Sequence, residues 1–284
     1  MVGCALQVAP EAGSGLEELS TGVALYGGVG LCFVGLGLAL LARRLLNKHW
    51  PGYVPAVPVS LGYLLAGVLA YGLGTLAGLA CLIGEPTGEA SPYPWRLPAL
   101  LGVSTLANLA MVAVVWAWAR TRTGALGLGL AGASRAWAAG SGLWLLCLPL
   151  LFGLSVIWQW ILLQWSGEVL SQVVVGYFED TSGAALAVAA LLGIVVIPFL
   201  EEVIFRGFLQ SALVSRLGAR LGVILTALLF ALLHGLPSFV PILALALLLG
   251  ELRQRTGSLW ASYAVHLFHN GLQIAILASG LQAN

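Results

Sequence analysis

Charge is what this sequence has least of. Only 8% of its 284 residues are Asp, Glu, Lys or Arg, against 60% hydrophobic. Soluble domains average about 25% charged residues. The poverty runs from end to end, so the chain cannot cover itself with a water-facing surface, and one membrane domain without a soluble module is expected. A net charge of +1 leaves no basic field for nucleic acid and no acidic tail. The four cysteines (Cys4, Cys32, Cys81, Cys147) are far apart, and three lie in apolar runs. That excludes thiolate metal spacing and a disulfide framework; they read as small buried hydrophobes. No Lys or Arg precedes the first apolar run, so the n-region of a cleaved secretory signal is missing. No internal repeat is visible, which argues against an inverted-repeat transporter. Lysine is confined to Lys48 while Ala and Gly abound, a bias that suits a GC-rich genome and hence a bacterial inner membrane.

What the chain does have is long apolar runs. A transmembrane helix needs roughly 20 apolar residues. Eight segments qualify or come close: 21–42, 58–83, 97–119, 143–164, 184–205, 219–235, 239–250 and a last one at 259–280. The expected fold is all-α, a polytopic membrane protein of about eight transmembrane helices. Charges between the spans alternate. Cations gather at Arg43, Arg44 and Lys48, at Arg120, Arg122 and Arg135, at Arg216 and Arg220, and at Arg253 and Arg255 beside Glu251; acids gather at Glu11, Glu17 and Glu18, at Glu85 and Glu89, and at Glu168, Glu179 and Asp180, and Arg96, beside the second acidic group, is the loop cation that breaks the pattern. By the positive-inside rule the basic loops are cytoplasmic and both termini extracytoplasmic. Gly74 and Gly78 make a small-xxx-small pair suited to close helix packing. The tryptophans Trp144, Trp158, Trp160 and Trp165 read as interfacial or lipid-facing anchors.

Ionisable residues inside a membrane are expensive and point to function. Outside the loops they are few: Glu201, Glu202, Arg206, His234, His266 and His269. Gly218, between Arg216 and Arg220, marks the turn between the fifth and sixth spans. Glu201 and His234 lie about 20–25 Å from that turn along their helices, so an antiparallel hairpin brings them level. The seventh span is short, so residues 235–238 are expected to dip into the bilayer, buried in protein or lining a wet cavity. His266 and Asn270 climb the eighth span to the same depth. The site is thus expected among the last four helices. Glu202 and Arg206 share a helix face, as do Phe230 and His234, and His266 and Asn270. Glu201 points about 100° away from Glu202. Glu202 is therefore expected to pair with Arg206, leaving Glu201 to face the cavity as a general base. Phe230 reads as packing, and His269 falls off the His266/Asn270 stripe.

The runs EEVIFR at Glu201–Arg206, FALLH at Phe230–His234 and HLFHN at His266–Asn270 resemble the EExxxR, FxxxH and HxxxN signatures of the CPBP family. That family holds intramembrane proteases, including type 2 CAAX prenyl endopeptidases and Abi-type bacterial proteins. All three motifs stand in order, and the likeness covers roughly residues 140–280. It implies an intramembrane endopeptidase in which Glu201 and His234 polarise a water. His266 and Asn270 would complete the site and stabilise the oxyanion, while Glu202 and Arg206 brace Glu201. If zinc takes part, Glu201, His234 and His266 would be its ligands; water activation without metal is equally open. HExxH is absent, which excludes the zincin arrangement. Ser141 lies between glycines without the GxSG of a rhomboid-like protease. The implied partners are the lipid bilayer and a peptide or protein substrate, lipid-modified or membrane-embedded. The implied domains are an N-terminal segment at 1–20, transmembrane helices with an interfacial stretch at 21–140, and a catalytic core at 141–284. The competing readings are a non-catalytic scaffold of the same family and a secondary transporter with a Glu/His proton relay.

Overall fold

The computed structural model describes residues 14–82, 96–122, 124–167 and 181–279. Most of the N-terminal segment and the acidic loop residues Glu85, Glu89, Glu168, Glu179 and Asp180 lie outside them. In hydrocarbon every backbone N–H and C=O must be satisfied within the protein, which favours helices. Among the described residues there are eight helices and no strand: α1 Ser14–His49, α2 Leu61–Leu82, α3 Arg96–Ala119, α4 Ala133–Ser166, α5 Gly183–Leu217, α6 Ala219–Leu233, α7 Phe239–Thr256 and α8 Leu259–Ala278. Each expected span coincides with one helix. Five stretches are long and apolar enough to cross a membrane: those of α1, α3, α4 and α5, and α7 with the turn before it.

Burial is inverted relative to a soluble protein. Val23, Tyr26 and Phe33 on α1, and Leu61, Val68 and Leu73 on α2, are exposed, while Glu202, Arg206, Gln210, Arg253 and His266 are buried. The apolar exterior suits lipid. Small residues set the closest approaches, as van der Waals packing between membrane helices requires. A Cβ at Gly140 of α4 would stand 2.1 Å from the Ala261 carbonyl oxygen of α8. One at Gly74 of α2 would stand 2.7 Å from the Ala107 Cα of α3.

α4 begins at Ala133. Two expectations need correction. Trp144 is no interfacial anchor; it is buried and stacks on Phe268 of α8 at 5.7 Å. α7 does not stop at residue 250 but runs to Thr256. Arg253, Gln254 and Arg255 continue the helix because they are buried against neighbouring loops, not released to water. The seventh helix is therefore about 27 Å long, and residues 235–238 need not dip as far as a short span would demand.

Those loops meet at one end of the bundle. Val54 N–H donates to the Gln254 carbonyl at 2.8 Å, Leu259 N–H to the Gly127 carbonyl at 2.9 Å, and Arg255 Nη1 to the Trp50 carbonyl at 3.1 Å. Arg216 also donates to the Val59 carbonyl. Each of the basic loops read from the sequence contributes to this end.

Candidate active site

The site is built on a deformation in α5. Leu191–Val196 and Glu202–Leu209 are wound as π-helix, with Ile197–Glu201 between them. π-Turns in α-helices are rare and frequent at functional sites. The Ile197 N–H bonds the Leu192 carbonyl, five residues back. In that register residue 198 would serve the Gly193 carbonyl, but Pro198 has no N–H. Asn270 takes over: its Nδ2 donates to the Gly193 oxygen at 3.0 Å. Tyr263 Oη donates to the Val195 oxygen at 3.1 Å. Helix α8 thus ties the turns of α5 that lead into the two glutamates.

Immediately after this kink the acidic pair diverges. Glu202 is fully buried; its Oε1 lies 3.4 Å from Arg206 Nη1 and 2.9 Å from His266 Nδ1. Glu201 turns the other way and keeps partial exposure, and its Oε2 lies 3.6 Å from His266 Nε2. His266 therefore stands between two carboxylates. The Glu202 contact is a hydrogen bond, donated from Nδ1–H when the imidazole is neutral. The Glu201 contact is beyond hydrogen-bond length.

His234 follows the last residue of α6. Its Nδ1 hydrogen-bonds the Phe230 carbonyl oxygen at 2.7 Å, one turn back. The Phe230 ring, fully buried, joins the site's parts. It lies 4.4 Å from the His234 ring and 5.7 Å from the His266 ring, and the Arg206 guanidinium sits over it at 4.3 Å, within cation–π range. The 3₁₀ turn Leu236–Ser238 follows His234, and α4 satisfies its carbonyls: Trp158 Nε1 donates to Leu236 and Gln159 Nε2 to Pro237, both at 2.9 Å. Trp158, expected to be an anchor, serves this link.

Of the expected residues, Glu201, Glu202, Arg206 and His266 form one connected chain of polar contacts. His234 joins them through Phe230. Asn270 is held by α5 and keeps one further N–H for other use. His269 is buried and contacts Gln273, with its Nε2 3.5 Å from Gln273 Nε2. Tyr263 was missed by sequence reasoning. The available signal was Pro198, since a proline inside an apolar run leaves carbonyls that need side-chain donors. For the ion that Glu201, His234 and His266 were expected to hold if one binds, the fit is poor. Among the described residues no three His, Cys, Asp or Glu side chains are grouped so as to ligate one metal.

Fold and site together define a polytopic membrane protein with a carboxylate–imidazole centre buried among its last helices. Residues 183–272 match the family model described as type II CAAX prenyl endopeptidase Rce1-like. The matched segment contains Glu201, Glu202, Arg206, His234, His266 and Asn270. It supports the CPBP family of membrane proteases to which the three motifs point. No curated protein and no solved structure matches the chain.

Proposed function

We propose that the chain is an intramembrane endopeptidase in which Glu201 activates the attacking water. The observation that carries this reading is the placement of His266 between a fully buried, Arg206-paired carboxylate and a partly exposed one. Glu202 orients the ring through Nδ1, which directs Nε2 to the side where Glu201 lies. Glu201 takes a proton from water as the water oxygen attacks the scissile carbonyl carbon, and later passes it to the leaving amine. The remaining N–H of Asn270 faces the developing oxyanion, where preorganised donors have their largest effect; His266, whose Nδ1–H is held by Glu202, donates there from Nε2 only in its doubly protonated form. His234, oriented by the Phe230 carbonyl, fixes the water or the substrate from the opposite helix.

The reaction as proposed runs on these side chains. A bound zinc would act as a Lewis acid and lower the proton affinity of its water, but the donor grouping gives it no support. The proposed substrate is a peptide or protein at the membrane, with a prenylated or other lipid-modified tail as one class. The basic end of the bundle is proposed to face the cytoplasm of a bacterial inner membrane, with residues 141–284 as the catalytic core.

The test is cleavage by purified protein in detergent of a fluorogenic prenylated peptide and of a mixed peptide library. Wild type, Glu201→Gln and His234→Ala run side by side, with and without chelator. Cleavage lost in both variants while folding is retained supports the protease. Equal cleavage by wild type and Glu201→Gln overturns the assigned base.

A further inference from the structure

A second polar centre lies behind Glu202, toward the basic end of the bundle. A cavity of about 50 Å³ is lined by Arg206 and Ser211 of α5, Arg253 and Gln254 of α7, and residues Val54–Val57 and Gly124–Ala125 of the α1–α2 and α3–α4 connections. A single water needs about 10–15 Å³ by the same kind of measure, so the space holds a small polyatomic group. Both arginines are more than nine-tenths buried. Arg206 Nε, Nη1 and Nη2 and Arg253 Nε are buried with no hydrogen-bond partner.

The contrast with Arg255 is informative. Two residues along α7, Arg255 has Glu251 as its ion-pair partner and donates to the Trp50 carbonyl. Arg253 donates to the Ala125 carbonyl, at 3.1 Å, and among the described residues no carboxylate lies within ion-pair distance of it. Glu202 is the one carboxylate so placed for Arg206, at 3.4 Å. Two buried guanidiniums therefore line one space, and among the described residues one carboxylate, Glu202, stands at ion-pair distance from Arg206 and none from Arg253. Buried cations demand pairing, and guanidinium forks match phosphate oxygens. The walls are fastened: Gln254 bonds the Val54 backbone through both its carbonyl and its side chain, and Gln210 Nε2 donates to the Gly250 carbonyl at 3.0 Å. The surrounding end carries Lys48, Arg122, Arg135 and Arg216, which favours anion approach.

We propose that this cavity binds a phosphate group, supplied free or by an anionic lipid headgroup, between Arg206 and Arg253. The site is separate from peptide hydrolysis and does not rest on it. Its occupant shares Arg206 with Glu202, so binding there bears on the carboxylate that orients His266.

The test follows thermal unfolding of the full chain in detergent by tryptophan fluorescence, titrating sodium phosphate against sodium chloride at constant ionic strength. A saturable rise in midpoint with phosphate is expected. Arg253→Met is expected to weaken the response at least tenfold. Ala56→Glu, which sets a carboxylate at the cavity wall, is expected to raise the midpoint without phosphate and to abolish the response. This variant keeps the proposal falsifiable if Arg253→Met fails to fold. A parallel arm compares short-chain phosphatidylglycerol with phosphatidylcholine. A response to phosphate identifies a free oxyanion as sufficient, and one to phosphatidylglycerol alone identifies the headgroup as the source. No saturable response to either, or one that survives both substitutions, overturns the proposal.

Discussion

His266 Nδ1 lies 2.9 Å from Glu202 Oε1, a hydrogen bond between α8 and α5 buried in the middle of an apolar bundle. It links the Arg206–Glu202 ion pair to the residue that faces Glu201, the proposed base. Removing charge from Glu201 and from Glu202 should therefore have different consequences. Glu201→Gln is expected to lower kcat by about 10²–10⁴-fold, the range of general-base catalysis, with an unchanged unfolding midpoint. Glu202→Gln is expected to lower both. Parallel kinetics and thermal unfolding check this, and equal stability losses in the two variants would count against the division of labour.

Arg206 and Glu202 are both fully buried. Truncating one partner leaves the other charged and unpaired in a low-dielectric interior, which costs about 3–5 kcal/mol. Arg206→Met alone is expected to be severely destabilised, and the double variant Glu202→Gln/Arg206→Met to recover part of the loss. Denaturant unfolding of the four species measures the coupling. Strict additivity would show that the pair does not act as one.

The link between Asn270 and Gly193 exists because Pro198 withholds an N–H. Asn270→Ala should cost about 1 kcal/mol in the wild-type background, the net value of a hydrogen bond. In a Pro198→Ala background the backbone can serve that carbonyl, and the cost should shrink. A double-mutant cycle on stability reads this coupling; identical costs in both backgrounds would sink the explanation.

Helices α4 and α8 touch at Gly140 and Ala261. Gly140→Val puts a branched side chain where a Cβ already meets a backbone oxygen at 2.1 Å. Overpacking costs typically about 1–3 kcal/mol. Because α8 carries His266 and Asn270, activity should fall along with the unfolding midpoint. The same substitution at Gly142, whose Cβ would meet nothing within 4 Å, should leave both nearly unchanged.

Leu236, in the turn after His234, is exposed. If that turn borders the water path to the site, Leu236→Cys should react with a membrane-impermeant maleimide in sealed vesicles, from one side only. Lack of labelling from either side would place the water path elsewhere.

The helical fold was legible in the sequence because the membrane removes alternatives. A chain this poor in charge and rich in long apolar runs must bury its backbone bonds in helices, and each expected span coincides with one. The divergence of Glu201 and Glu202 was legible for a similar reason, since helix geometry sends neighbours to different faces and returns residue 206 beside residue 202. The depth argument placed His234 and His266 near the glutamates because antiparallel helices meet at equal distances from their turn. Charge alone was a poor guide to helix ends. Arg253 and Arg255 looked like a loop, yet the surrounding chain buries them and α7 continues through both. Whether a polar residue ends a span depends on what packs around it, and that is non-local. The same holds for Asn270, whose partner is a carbonyl 77 residues away, and for Trp144, which the packing of α8 draws inside. The sequence by itself determined the membrane class, the helices and the faces of the acidic pair, because these follow from composition and local periodicity. Only the tertiary structure decided which donors meet which acceptors, and that two arginines from distant helices share one cavity, because such contacts depend on helix packing and on loops that no local pattern encodes.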